Sequence, residues 1–240
     1  MYSHMHLSSG VDAGTTTTEG SGVTNETAPQ LEKPRRKAPG RNALQERQRE
    51  ETRRRLVEAA GRVFERKSYV DTRVEDVLAE AGVSRATFYA HFDGKLALVS
   101  AIAAEFMPQW RKLFDRLVAM PAFTPELLDA WTRAYVDIYR RNEATCILLT
   151  QVSALETDFY WQLADAQAAL IDQLADHIPA FARAQQDDAV GRSMRVRAAL
   201  LLSQLDQVSY FLAVRRWKAD PEEGIRIMAD QIGSFLNMRD

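Results

Sequence analysis

Cysteine is almost missing from this sequence: Cys146 is the only one in 240 residues. No intrachain disulfide can staple the fold, so a buried core must hold it. A buried thiol is a simpler reading of Cys146 than a redox sensor. Long apolar runs are missing as well. No stretch approaches the roughly 18 consecutive apolar residues that cross a bilayer. The opening MYSHMHLSSG has neither a basic start nor an apolar core, so no membrane partner is expected and the cytoplasm is the expected compartment. No segment sustains a period-two alternation, which argues against a sheet. A glycine-rich phosphate loop is absent. His4, His6, His91 and His177 are scattered, and no metal-ligand cluster is visible. The run GVSRA, 82–86, partly imitates a nucleophile elbow, but it lacks the final glycine and follows a helical pattern where a strand belongs. Neither an enzyme, a cofactor nor a metal is expected.

Net charge is small, −2, but unevenly spread. Residues 1–32 hold four acids and no Lys or Arg; residues 33–95 hold sixteen Lys and Arg against ten acids; residues 96–240 hold fifteen against nineteen. A basic segment inside a mildly acidic chain suits a polyanion, because a phosphate backbone attracts lysine and arginine through charge and counterion release. A solvated charged helix would give the same count, so charge alone does not decide.

Residues 8–30, with SSG, TTTTEGSG and TAPQ, carry too few apolar groups to offset the entropy of ordering and read as a disordered tail. KPRRKAPGR, 33–41, is a basic arm broken by Pro34, Pro39 and Gly40, suited equally to tracking a groove or staying hydrated. From residue 45 the pattern is helical. Leu56, Ala60, Val63 and Phe64 share one face of a first helix. Val74, Val77, Leu78 and Ala81 repeat at i, i+3, i+4 and i+7, giving a second helix that starts at Thr72 with Glu75 completing a capping box. Gly82 stops it. Ser84 caps a third helix, on which Phe88 and Phe92 face inward while Ala86, Tyr89 and Ala90 face out, flanked by Arg85, Thr87 and His91. Helix, glycine turn, helix is the helix-turn-helix arrangement. The inward phenylalanines would hold the third helix so that its other face can enter a major groove about 12 Å wide, where alanines permit close approach to base edges.

The run TRVEDVLAEAGVSRATFYAHFDGKLAL, 72–98, resembles the DNA-binding signature of the tetracycline-repressor (TetR) family of bacterial transcription regulators. Thr72, Ala81, Gly82, Val83, Ser84, Thr87, Tyr89, His91, Phe92, Lys95 and Leu98 match it, and the resemblance covers about residues 50–105. Arg73 replaces a usual Thr or Ser, which would shift the helix cap and its phosphate contact to Thr72. Ala86 replaces Gly, Gly94 replaces Ser, and Leu96 replaces a Glu that would complement the dipole of the fourth helix. The resemblance implies a DNA site of Thr72, Arg73, Ser84, Arg85, Ala86, Thr87, Tyr89, His91 and Lys95. Within it, Thr72, Thr87, Tyr89, His91 and Lys95 would contact phosphate, and Arg85 and Ala86 would read bases. Arg85 in the first turn suits a bidentate contact to guanine; Lys95 would sit beside amides already suited to an anion. His91 reads either as a phosphate contact or as a satisfied core histidine.

Residues 96–240 read as a second, wholly helical body of six helices, the first of them kinked near Pro108. Its last helix, beginning after Asp220, opens with Asp-Pro-Glu-Glu, a favourable start. Two apolar stripes mark the end of the chain: Leu201, Leu205, Val208 and Leu212, then Ile225, Met228, Ile232 and Phe235, with Gly233 allowing a close crossing. They predict a four-helix homodimer interface; the monomer's own core is the alternative. Trp110, Phe114, Trp131, Tyr135, Phe159, Tyr160 and Phe211, with Gln151 and Gln207, are the candidate lining of an effector pocket. Ordinary packing competes for each ring taken singly.

The expected protein is therefore all-α. A tail with a basic arm spans 1–44, a three-helix helix-turn-helix head 45–95, and a six-helix body that binds an effector and dimerises 96–240. It would act as a ligand-responsive regulator, most simply a repressor. Its partners would be a double-stranded palindromic DNA operator, a second copy of the chain, and a small apolar or aromatic effector. A helical protein-interaction scaffold that no longer binds DNA is the alternative.

Overall fold

The computed structural model describes residues 39–216, 218 and 220–238, with side chains from residue 43. The chain divides into two units, 1–42 and 43–240. Of the first, only the opening turn of a helix is described, so the expected tail and most of the basic arm lie outside the described residues. Ten helices account for the rest, and no strand occurs among the described residues.

The head is α1 (Pro39–Arg66), α2 (Val74–Ala81) and α3 (Arg85–Tyr89), closed by the start of α4 (Lys95–Val118). Helix α1 begins earlier than the expected residue 45, taking in Pro39 and Gly40; proline at the first helical position lacks only an N–H that would be unsatisfied anyway. Leu56, Ala60, Val63, Val77, Ala81, Phe88, Phe92 and Leu98 form one buried cluster. The two phenylalanine rings lie 6.1 Å apart at its centre. Gly82 ends α2 in the left-handed region at φ 63°, its N–H donating to the Leu78 carbonyl at 2.9 Å. A β-carbon there would meet nothing nearer than Arg55 at 4.0 Å, so the backbone angle rather than space favours glycine. Arg55 donates to the Ala81 carbonyl at 2.8 Å and secures the same helix end.

The body contains the rest of α4, α5 (Pro125–Arg141), α6 (Glu143–Leu155), α7 (Thr157–Ala175), α8 (Pro179–Ala184), α9 (Ala189–Ala213) and α10 (Pro221–Leu236). That is seven helices where six were expected. The long helix expected through Ile178 stops at Ala175, and Pro179 starts a separate short one that turns Ala180, Phe181 and Ala184 into the core. Helix α4 runs on through Pro108. Asp220 caps α10 by accepting from the Glu222 N–H at 3.0 Å, with Pro221 and two glutamates in the first turn, as its sequence predicts.

The expected dimer stripes turn inward. Leu205, Leu212, Ile225, Met228, Ile232 and Phe235 are buried within the chain itself, with Leu201 and Val208 packed at their edge. A β-carbon on Gly233 would meet a Leu128 methyl at 3.0 Å, so the close crossing is that of α10 on α5 of the same chain. The outward face of α9 instead carries Val196, Leu200, Gln204, Gln207 and Phe211, and that of α10 Ile227, Gln231 and Ser234.

Candidate nucleic-acid interface

Helix α3 has only five residues, and its placement rests on its two ends. The Ser84 hydroxyl accepts from the Thr87 N–H at 3.1 Å and lies 2.9 Å from the Thr87 hydroxyl. Phe88, fully buried, anchors the helix from below, and the Tyr89 ring meets it edge-on at 5.1 Å. What remains outward is Ser84, Arg85, Ala86, Tyr89 and Ala90, all exposed, with Thr87 and His91 half-buried at the flank. Arg85 is the only cation on this face. Its guanidinium pairs with Glu75 of α2 at 3.1 Å and stands 5.8 Å from the centre of the Tyr89 ring. Both partners of that ion pair are largely solvated, so it holds the arginine weakly and leaves it free to exchange carboxylate for a base edge.

Two expected phosphate contacts are otherwise employed. Thr72 is 2% exposed, and its hydroxyl donates to the Ser68 carbonyl at 2.9 Å, so it fastens the loop between α1 and α2. The cap of α2 falls at Arg73 rather than Thr72: the Asp76 carboxylate accepts from the Arg73 N–H at 2.9 Å, and Asp76, not Glu75, closes the box. Arg73 itself is exposed. Lys95 is the second correction. Its ammonium donates to the Tyr69 carbonyl at 2.8 Å and the Thr72 carbonyl at 3.3 Å, and sits 4.1 Å over the Tyr69 ring. A lysine so occupied clamps the loop onto α4 and is not a free phosphate hand. Gly94 gives α4 no side-chain cap and its first turn holds no acid, in keeping with the two departures noted there.

Several of the basic residues counted in this segment are neutralised locally. Arg62 and Arg66 both bind Glu80, at 2.7 and 2.5 Å, and Lys67 binds Asp76 at 2.6 Å. The hydrogen bond from Arg62, then that from Arg66, holds the Glu80 carboxyl below its ordinary range; Lys67 and then the Arg73 N–H do the same for Asp76. The exposed first half of α1, with Arg47, Arg49 and Arg54, contributes the remaining solvated positive charge.

The expected effector pocket does not assemble as one site. Trp110, Phe114, Trp131 and Tyr135 do come together, with Tyr135 4.4 Å from Trp110 and 5.4 Å from Trp131 between ring centres. Phe159 belongs to a separate cluster with Tyr69, Val99 and Val152 under the head. Gln151, Tyr160, Gln207 and Phe211 are exposed. Helical spacing could not show which side of α6, α7 and α9 each of these faces. The Trp131 indole donates to the Leu113 carbonyl at 2.8 Å, tying α5 to α4. The cavity beside these rings, lined by Phe114, Trp131, Leu202 and Leu205 among others, is about 20 Å³, close to the room of one water.

Sequence reasoning missed one residue in this region. Asp206 of α9 accepts from the Tyr135 hydroxyl at 2.5 Å and the Tyr139 hydroxyl at 2.7 Å. Burial pushes its carboxyl above the ordinary range, opposed by those two hydrogen bonds. Burial, then the nearby Asp206 charge, pushes the Cys146 thiol up to about 12, leaving it a protonated core group. An acid within the apolar sequence LLLSQLDQV was the available signal.

A capped, outward-facing second helix of a helix-turn-helix defines a DNA-binding transcription regulator. Residues 56–102 match the family described as bacterial regulatory proteins, tetR family. The segment is 40% identical over 55 residues to the HTH-type transcriptional regulator SrpR of Pseudomonas putida, covering 23% of this chain and 26% of that one. It is 39% identical over 54 residues to the HTH-type regulator TtgW of the same species, covering 22% and 40%. The chain thus matches about a quarter to two-fifths of the length of these relatives. Among solved structures, a TetR-family regulator from Syntrophomonas wolfei superposes with a TM-score of 0.59 at 16% identity, over 79% of this chain and 97% of that one. The fatty acid degradation regulator FadR of Bacillus halodurans does so with 0.56 at 15%, over 78% and 96%. By its head and its fold the chain belongs to the TetR family of transcription regulators, and is a regulator rather than an enzyme. No described helix is long and apolar enough to cross a membrane.

Proposed function

We propose that the chain is a homodimeric repressor that holds a palindromic operator with one α3 in each of two successive major grooves, and lets go when a small-molecule effector enters the body. The observation that carries this reading is the outward face of α3, where one arginine stands among alanines and a tyrosine on a helix pinned by Phe88. Two-fold symmetry follows from the geometry of such heads, which read half-sites about one helical turn of DNA apart. The exposed apolar residues of α9 and α10, Val196, Leu200 and Ile227, support a partner copy on those faces in place of the buried stripes. Release requires that an effector shift the body between two arrangements, a coupling of about 1–3 kcal/mol. Helix α4, which starts in the head and packs on α5 and α6, is the element that can carry it. Selection of bound duplexes from a random pool tests the reading: an inverted repeat is expected, and recovery of no preferred sequence would reject it.

A further inference from the structure

The most unusual polar feature of the body is an acid without a counter-cation. Every described polar contact of the Asp206 carboxylate is a phenol, Tyr135 or Tyr139, and no Lys or Arg among the described residues pairs with it. Withdrawing a carboxylate from water without a positive partner is expensive, and hydrogen bonds from neutral donors offset only part of that cost. The surroundings are aromatic. Trp110 lies 4.4 Å from Tyr135 and 5.4 Å from Tyr139, and the two tyrosines stack at 6.1 Å. One turn along the same side of α9, the Ser209 hydroxyl is fully buried and has no hydrogen-bond partner. The small cavity reaches Leu205, the residue before Asp206. Asp206 is half-buried rather than sealed.

A negative charge short of a positive partner and ringed by π faces is complementary to an organic cation, since both the carboxylate and the rings attract positive charge. A metal ion is a poor fit, because one carboxylate with phenols offers too few hard oxygen ligands. We propose that Asp206, Trp110, Tyr135 and Tyr139 bind the charged nitrogen of an aromatic-bodied organic cation, whose apolar part takes the space of the cavity as α5 and α9 part. The inference deepens the effector reading and rests on it for regulatory meaning. A ligand seated there displaces the two phenols, and both belong to α5, which Trp131 ties to α4.

The test uses the full chain and two probes of nearly the same shape, benzyltrimethylammonium and neopentylbenzene, titrated against tryptophan fluorescence. The wild type is expected to bind the cation at least about tenfold more tightly than the neutral probe, and Asp206→Asn, which keeps an acceptor for a phenol, to lose that preference. Should the variant fold poorly, the pH dependence of the wild type decides. Cation affinity falls as pH drops through the raised Asp206 value, while neutral-probe affinity stays level. Tyr135 and Tyr139 of α5 and Cys146 of α6 are the titratable groups facing Asp206, and all three are pushed upward, so they stay protonated through that range. Equal binding of both probes, no binding of the cation, or a preference that survives Asp206→Asn overturns the site. Operator binding is measured on the same preparation: a chain that shows the cation preference but binds no DNA upholds the site and overturns the regulator reading instead.

Discussion

Arg85 and Lys95 are both cations of the head, yet they do opposite work. Arg85 stands on a free surface with only a solvated glutamate to leave. Lys95 is held by two carbonyls and a ring. Arg85→Ala is therefore expected to cost about 1–3 kcal/mol at the operator and to relax the choice of one base pair in each half-site, read by competition with single-base variants. Lys95→Met is expected to leave the salt dependence of DNA binding unchanged and to lower thermal stability by about 1–3 kcal/mol, since two accepting carbonyls and a cation–π contact lose their donor. A salt slope that falls by about one in Lys95→Met would restore it as a phosphate contact. Glu75 offers a third residue-scale test. Because its carboxylate competes with DNA for Arg85, Glu75→Gln should tighten operator binding, most at low salt, where an exposed charge is least screened; an unchanged or weaker affinity would show the pair to be idle.

Elements whose ends carry distinctive chemistry were legible before any coordinates. Gly82 and Ser84 fix the turn and the start of α3, the 3.6-residue repeat fixes the inward side of α2, and Asp220 with Pro221 starts α10. Where the signal is only an apolar stripe, the sequence says that a face is buried and not against what. The stripes of α9 and α10 read equally well as a partner's surface or as the chain's own core, and packing on α5 decided for the core. Capping around Thr72 was ambiguous because Thr72, Arg73, Glu75 and Asp76 allow two frames one residue apart, and burial of Thr72 selects the later one. Asp206 was overlooked because one acid in a long helix normally faces water. The corrected faces give a prediction at this scale. Leu200→Glu with Ile227→Glu should yield a folded monomer by sedimentation with weak operator affinity. Ile232→Ala should instead cost about 2–5 kcal/mol of stability without changing the subunit count of the folded fraction. A double variant that sediments as a dimer would move the interface elsewhere.

For the whole molecule, the account joins a DNA-reading head to a body with an unpaired acid at its centre. That acid leaves a mark on stability. The folded carboxyl of Asp206 lies above its ordinary 3.8, so its contribution to stability is fully present below that value and is lost as pH rises through the raised folded value. Asp206→Asn cannot ionise, and its melting temperature should gain on that of the wild type as pH increases across this window; a constant difference would show that the carboxyl does not titrate there.

The central claim, that the face of α3 reads DNA by sequence through Arg85, is tested most directly by footprinting the full chain on a duplex selected from a random pool, beside Arg85→Ala on the same duplex. The expected result is symmetric protection of two half-sites about one helical turn apart, with the variant protecting single-base variants of the contacted pair as well as it protects the selected site. Protection without symmetry, or a variant as selective as the wild type, would contradict it.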